Sequence, residues 1–509
     1  MNFEHSSFSV ERRILRAAVL VVMLSVAAGR YSVSARTWTD NTAGRKFDAE
    51  FLDFKDGRVH LKLPGGQLRS IGMTKLSNGD QAFVRELLKK KRAEHQSDGD
   101  KLAKLEDQQQ PNKFWASETI EPAKYETRHF TVYTDVTVSE AKFLVQKLET
   151  AIANMVAYWG RAPKGKIKCF VVRDLRNWPL DALDPGGVRK ISSKEGVTLT
   201  STRGRNVEIG DQKVFRVSKA EAVVYAYADI GIAQHESVHA YCGQTFGQTG
   251  PTWYSEGMAE MGQYWVKGSR AVNTPGLVID LFRGNKPFPR YRHKNAVEIV
   301  NEEQITGDSW ENYTQRWALC HMLNHNLNYS KRFRAMGQAI VVGQKINYRD
   351  LFGARVDQIE FEFRFFVDRI DIGYRVDLCS WDWSKKSSPI KGETTKTMKV
   401  FANRGWQPTG VTLERGRRYE YFTDGQWETG GGAAVSAAGD DNADGTLIAV
   451  VMNDYELGES FALASSFTLT APVGGDLYVR CQDEWNRLED NSGSIQLKFK
   501  ALADVAAGE

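Results

Sequence analysis

The chain has 509 residues, 41% of them apolar and 26% charged, with 25 Phe, 18 Tyr and 13 Trp. That is enough apolar and aromatic material for several cores, which excludes a low-complexity or disordered polymer. The formal net charge is +5, and the first 35 residues hold four Arg and two Glu, so the remainder carries 64 basic and 61 acidic side chains. A balance that even excludes nucleic acid and an acidic membrane surface as expected partners.

At the amino terminus, Arg12, Arg13 and Arg16 precede an apolar run at 17–29, and Val33-Ser34-Ala35 supplies a small-residue cleavage site. This pattern predicts a secretory signal over residues 1–35, and with it a secreted, periplasmic or cell-surface location. The run is shorter than the ~20 residues a membrane span needs, and no other run is longer, so no span is expected after signal removal. Five cysteines, Cys169, Cys242, Cys320, Cys379 and Cys481, are scattered with no Cys-x-x-Cys spacing. No disulfide framework is indicated, although one bridge stays open in an oxidising compartment.

Residues 36–95 read as a small antiparallel sheet. Phe47, Ala49 and Phe51 alternate with polar residues, Asp56-Gly57 turns into Val59, Leu61 and Leu63, and Pro64-Gly65-Gly66 turns again. The block resembles the Sla homology domain 1, an SH3-like β barrel. The resemblance implies a protein partner, through peptide, cytoskeletal-type or ubiquitin-type contacts. With a signal peptide in front, a stalk or surface-recognition module is the expected use. Residues 96–120 are polar without a sustained apolar period, and read as a linker.

The central region, 121–378, opens with a strand at 129–135. Ser139 is the expected cap of a helix whose Leu144, Leu148, Ile152, Met155, Val156 and Trp159 recur at three and four residues. Strands at 167–172 and 222–228 follow, then helices at about 232–246, 253–265, 310–328 and 354–370, an α+β pattern.

Within the first of those later helices lies His235-Glu236-Ser237-Val238-His239. Residues four apart on a helix differ by about 40° in direction, so both imidazoles face one point. Two imidazoles can hold zinc, and Glu236 stands beside them as a general base toward water. Two half-buried structural histidines are the competing reading of the pentapeptide alone. A third ligand six residues beyond His239 would be Thr245, which cannot serve. With sixteen residues between, His239 is followed by Glu256, in WYSEGMAE, after a turn at Gly247, Gly250 and Pro251. A second helix packed antiparallel on the first would aim Glu256 at the histidine pair.

On these residues the region resembles the gluzincins, peptidase-MA-type metallopeptidases with a zincin-like α+β domain. The resemblance implies zinc ligands His235, His239 and Glu256, the base Glu236, and Glu260 orienting a ligand imidazole. It also implies a transition-state tyrosine, matched by Tyr313 at the head of the helix WALCHMLNHNL. Arg316 and Trp317 replace the Lys and Gly of the family pattern there. His321 and His325, also four apart, lack a neighbouring glutamate and read as structural.

Residues 390–505 show short alternating runs, many glycines and turns at Asp424-Gly425, Asp444-Gly445 and 474–476. That pattern predicts an all-β sandwich or jelly roll. The segments GWQPTGVTLERGRRYEYFTDGQW and LYVRCQDEWNRLEDNSGSIQLKFK resemble the PA-IL-like galactose-binding lectins. The resemblance implies a Ca2+ site at Asp483, Asp490 and Asn491 and a carbohydrate partner. Arg487 and Gly430 depart from its ligand pattern, which leaves a metal-free structural sandwich as the competing reading.

The chain is therefore expected to be multidomain: a small SH3-like barrel, an α+β zincin-like peptidase domain, and a galactose-binding-like sandwich. Its expected function is zinc-dependent hydrolysis of a peptide or protein substrate. The alternative is a non-catalytic surface adaptor or adhesion protein, whose Sla homology domain grips protein and whose lectin-like domain grips carbohydrate.

Overall fold

The computed structural model describes residues 36–41, 44–55, 58–85, 87, 114, 116–209, 212–266, 269–285, 292–302, 309–463 and 468–502. The expected signal at 1–35 and nearly all of the expected linker before residue 114 lie outside them. Two compact units are present, residues 1–99 and 100–509. Among the described residues no helix is long and apolar enough to cross a membrane.

The first unit is an antiparallel meander of β1 (Arg36–Asp40), β2 (Arg45–Lys55), β3 (Arg58–Lys62) and β4 (Leu68–Gly72), paired in that order. Period-two alternation turns Ala49, Phe51, Val59 and Leu61 onto one face around the fully buried Trp38. The Trp38 indole N–H donates to the Ala49 carbonyl at 2.9 Å, so its polar edge is satisfied inside the core.

The second unit begins with a five-stranded sheet in the order β5 (Ala123–Glu126), β6 (Phe130–Thr134), β7 (Ile167–Val172), β9 (Gln212–Tyr227), β8 (Gly196–Ile209). Strands β6, β7 and β9 run parallel, while β5 and β8 are antiparallel edges. Helix α1 (Val138–Trp159) crosses from β6 to β7 and α2 (Pro185–Ser192) precedes β8. The cap of α1 is Thr137, not Ser139. Thr137 forms a reciprocal capping box with Glu140, because that pair sits three residues apart at the point where the backbone turns helical. The third strand is far longer than 222–228, and β8, which carries the run Val197-Thr198-Leu199-Thr200, pairs with it as a hairpin.

Helices α3 (Ile230–Phe246) and α4 (Thr252–Gln263) follow, then α5 (Gly276–Arg283), α6 (Ala296–Asn301), α7 (Trp310–His325), α8 (Ser330–Val341), α9 (Tyr348–Phe352), α10 (Val356–Val367) and α11 (Val376–Cys379). Asp229 caps α3 by accepting from the Ile232 amide at 3.1 Å, and Gly247 ends it at φ +95°. Helix α4 is wedged between α3 and α7, and two glycines make that possible. A Cβ on Gly262 would meet Val238 of α3 at 2.5 Å; one on Gly257 would meet the Cys320 sulfur and the Arg316 carbonyl of α7 at 2.5 and 2.6 Å.

The C-terminal part is a two-sheet sandwich. One sheet has the order β10 (Thr395–Phe401), β18 (Ser492–Ala501), β12 (Arg418–Glu428), β16 (Thr468–Thr470). The other has β11 (Gln407–Leu413), β17 (Gly475–Cys481), β13 (Leu447–Asn453), β14 (Glu456–Leu457), with β15 (Phe461–Ala462) on β13. Asp424-Gly425 is no turn: it runs inside β12, where Gly425 at φ +108° lets the Ser494 carbonyl approach. The second sheet is buried on both faces, because Val450, Met452 and Tyr478 pack into the helical core. Trp381 meets Tyr478 edge to face at 4.7 Å. Beside it, the buried Glu362 carboxylate accepts from Tyr329, Asn326, Trp383 and the Trp381 amide. Burial still outweighs those donors and raises its pKa. The five cysteines are free and buried.

The wedge makes a specific demand. Gly257→Ala should destabilise the second unit by about 1–3 kcal/mol, the usual cost of overpacking, read as a lower urea midpoint with unchanged slope. Unchanged stability would show that α4 and α7 can separate freely.

Candidate metal centre

Helix α3 presents His235, Glu236 and His239, and α4 presents Glu256 and Glu260, across the turn at Gly247, Gly250 and Pro251. His235 Nε2, His239 Nε2 and Glu256 Oε2 form a nearly equilateral triangle, with sides of 3.2, 3.2 and 3.3 Å. Among the described residues this is the cluster of His, Cys, Asp or Glu able to hold a metal ion. A tetrahedral zinc site with arms of about 2.05 Å has edges of about 3.3 Å. The three donors therefore fit three corners of such a tetrahedron and leave the fourth for another ligand.

The far nitrogens are held as well. His235 Nδ1 lies 3.2 Å from Glu260 Oε1, and His239 Nδ1 lies 3.2 Å from Ser255 Oγ. A proton kept on each Nδ1 leaves the Nε2 lone pairs facing the centre. Burial works against a His235 cation, yet Glu256 and Glu260 outweigh it and raise its pKa well above the ordinary imidazole value. Burial also opposes the Glu256 anion, but His239 and His235 hold its carboxyl below the usual carboxylate range. A proton and a metal ion compete for the same lone pairs. Burial and the neighbouring Glu260 push the Tyr264 hydroxyl up.

Glu236 is clamped from the sheet side. Thr198 Oγ1 of β8 lies 2.8 Å from both its Oε2 and its backbone carbonyl. Gly196 runs so close that a Cβ would sit 2.6 Å from Glu236 Cγ and 2.9 Å from its Oε1. Neither residue, nor Ser255, stood out in the sequence. The β-branched run at 197–202 was the available signal for β8, whereas a lone serine beside Glu256 carries none.

Tyr313, one turn into α7, places its ring 6.1 Å from that of His235 at 84°, with the Arg316 guanidinium carbon 5.7 Å from the Tyr313 ring centroid. His321 and His325 do not join the centre. Their rings lie 4.6 Å apart, His321 stacks on Phe366, and burial pushes His321 well below the ordinary imidazole value and His325 down to about 4. In the sandwich, Asn491 is buried and spends its amide on backbone, donating to the Ala402 carbonyl and accepting from the Gly430 amide. Asp483 accepts from the Glu484 amide at 2.7 Å, Asp490 ends the short turn Leu488–Asp490, and Arg487 pairs with Glu484.

Residues 31–92 match the family of the SLA1 homology domain 1, SHD1. Over 58 residues the chain is 40% identical to the actin cytoskeleton-regulatory complex protein SLA1 of Mycosarcoma maydis, a stretch that is 11% of this chain and 5% of that protein. The chain thus spans only a small fraction of that relative's length. Among solved structures, it is similar to a PllA-like lectin, the EclA N-terminal domain, at 18% identity. That likeness covers 21% of this chain and 95% of that one with a TM-score of 0.18, too low to carry an argument. The SHD1 match ends well before the histidine centre. An SHD1 module therefore stands at the N-terminal end of this multidomain chain.

Proposed function

We propose that the second unit is a zinc-dependent peptide hydrolase of the gluzincin kind, and that a leader within residues 1–35 directs it out of the cytoplasm. The observation that carries the reading is the triangle of His235, His239 and Glu256, with edges matched to tetrahedral zinc. The glutamate partnered to His235 Nδ1 and the serine partnered to His239 Nδ1 support it, because metal-ligating imidazoles are held through their second nitrogen.

Zinc, when bound, would act as a Lewis acid that acidifies water and polarises a carbonyl. The residues of the chain supply the rest. Glu236 would take the proton of the attacking water and return it to the leaving amine, while Thr198 and the missing Cβ of Gly196 keep its carboxylate in one orientation. Tyr313 would donate a hydrogen bond to the oxygen of the scissile carbonyl as negative charge develops there. Strand β8 ends its sheet beside α3, and its outer edge offers backbone hydrogen bonds to an extended peptide. That edge supports a peptide substrate.

The SHD1 match supports a second reading, in which the chain is an adaptor that grips a protein partner through residues 36–95 and the helical part is scaffold. The two differ in metal content and turnover. The hydrolase should carry one equivalent of zinc by mass spectrometry of metals, and His239→Ala should lose it. A protein that stays metal-free after incubation with zinc belongs to the adaptor reading.

With zinc bound, Glu260→Gln should loosen it about 10–100-fold in a chelator competition. Glu236→Gln should keep the metal and lower turnover of a quenched peptide library about 10²–10⁴-fold; undiminished turnover would remove Glu236 from the reaction. Tyr313→Phe should lower kcat about 10²–10³-fold and change KM little, whereas a change confined to KM would make it a binding residue.

A further inference from the structure

A cleft of about 380 Å3 lies where the chain leaves its helical part for the sandwich, lined by residues that the metal centre does not use. The chain segment after α11 supplies Trp383, Lys385 and Lys386, and the β13–β14 turn supplies Asp454 and Tyr455. Strand β17 adds Asp476 and Tyr478. We propose that this cleft binds a neutral pyranose unit of a glycan, without a metal ion.

Shape and rigidity come first. The volume falls in the range of sites for small ligands. Trp383 is fixed before any ligand arrives: its indole N–H donates to the buried Glu362 at 2.6 Å, and its ring stacks on Trp381 at 5.8 Å and 17°. Tyr455 meets it edge-on at 5.8 Å. Rings held this way can meet a ligand without the entropy cost of immobilising them on binding.

The turn that presents Asp454 and Tyr455 is strained. It joins β13 to β14 through two residues, and both are left-handed, at φ +49° and +62°. Asn-Gly relaxes into such a turn, whereas a tyrosine there is an outlier. Strain of this sort persists where the side chains have a use, and here the two strained residues are the ones that line the cleft.

Charge then selects the ligand. The lining holds two lysines and two aspartates, so a phosphate would meet Asp454 and Asp476 and a cation would meet Lys385 and Lys386. Asp476 gives one oxygen to Thr412 at 2.7 Å and has acceptor capacity left over. Aromatic rings combined with both donors and acceptors in one lining match a sugar ring, which has apolar C–H faces and a rim of hydroxyls. Asp483, Asp490 and Asn491 are not among the residues of the cleft, so this site is separate from the expected calcium position.

The test uses the full chain carrying Glu236→Gln, so that binding is read independently of hydrolysis. It is titrated with the methyl glycosides of neutral hexoses and N-acetylhexosamines, followed by tryptophan fluorescence and saturation-transfer NMR, with and without EDTA. At least one glycoside should saturate, and EDTA should change nothing. Tyr455→Gly should weaken it about ten-fold, the worth of an aromatic contact; glycine relaxes the turn but removes the packing on Phe361 and Trp383, so its fold is checked by circular dichroism. The exposed Lys386→Ala should weaken it to a smaller extent and serves as the second variant if the first does not fold. Saturation by none of these glycosides, full affinity in both variants, a calcium requirement, or displacement by inorganic phosphate would each overturn the proposal.

Discussion

Helix α4 can reach the histidines only because it has glycine on both flanks. Gly262 lets Val238 of α3 come close, and Gly257 lets the backbone of α7 come close on the other side. Close packing leaves no slack in such a wedge, since interiors are as dense as organic crystals. The position of Glu256 relative to His235 and His239 is therefore a consequence of two absent side chains, and the 3.2–3.3 Å triangle inherits its regularity from them. The same packing brings the head of α7, and with it Tyr313, against the ring of His235.

Around that triangle each group is held by a neighbour from a different element. Glu260 and Ser255 of α4 hold the far nitrogens of the two imidazoles. Strand β8 holds Glu236 through Thr198 and leaves room for it at Gly196. A carboxylate that is both ion-paired and buried is costly to isolate, so Glu256 depends on the two imidazoles that stand against it. The geometry that suits zinc is also the geometry that satisfies the electrostatics of the pocket.

The helical part and the sandwich are one body for a related reason. Sheet β11-β17-β13-β14 has no solvent face, because Val450, Met452 and Tyr478 turn outward into the helical core. Glu362, a carboxylate buried at that seam, gathers donors from Asn326 at the end of α7, from Tyr329 before α8 and from the Trp381–Trp383 segment. Ionised or protonated, it cannot leave without stranding those donors, each at a cost of about 1–3 kcal/mol. The seam also fixes Trp383 and so shapes the aromatic wall of the neighbouring cleft.

Local periods made much of this legible. The alternation of Phe47, Ala49 and Phe51 announced the meander, the recurrence of Leu144, Leu148 and Ile152 announced α1, and His235-Glu236-x-x-His239 with Glu256 announced the centre. What escaped depended on distant partners. Strand β8 carries few large apolar residues, Ser255 gains meaning only beside His239, and the glycines of α4 gain theirs only once α3 and α7 are in place. Asp424-Gly425 read as a turn because that dipeptide favours one, but pairing with β18 kept the strand extended. The sequence by itself determined which residue types meet which period, and so the donors of the centre and the face each helix buries. Tertiary structure alone decided how near those donors come, which neighbours hold them, and that a strand, two glycines and a serine complete the site. Those are matters of ångströms between residues far apart in the chain, and close packing rather than local propensity sets them.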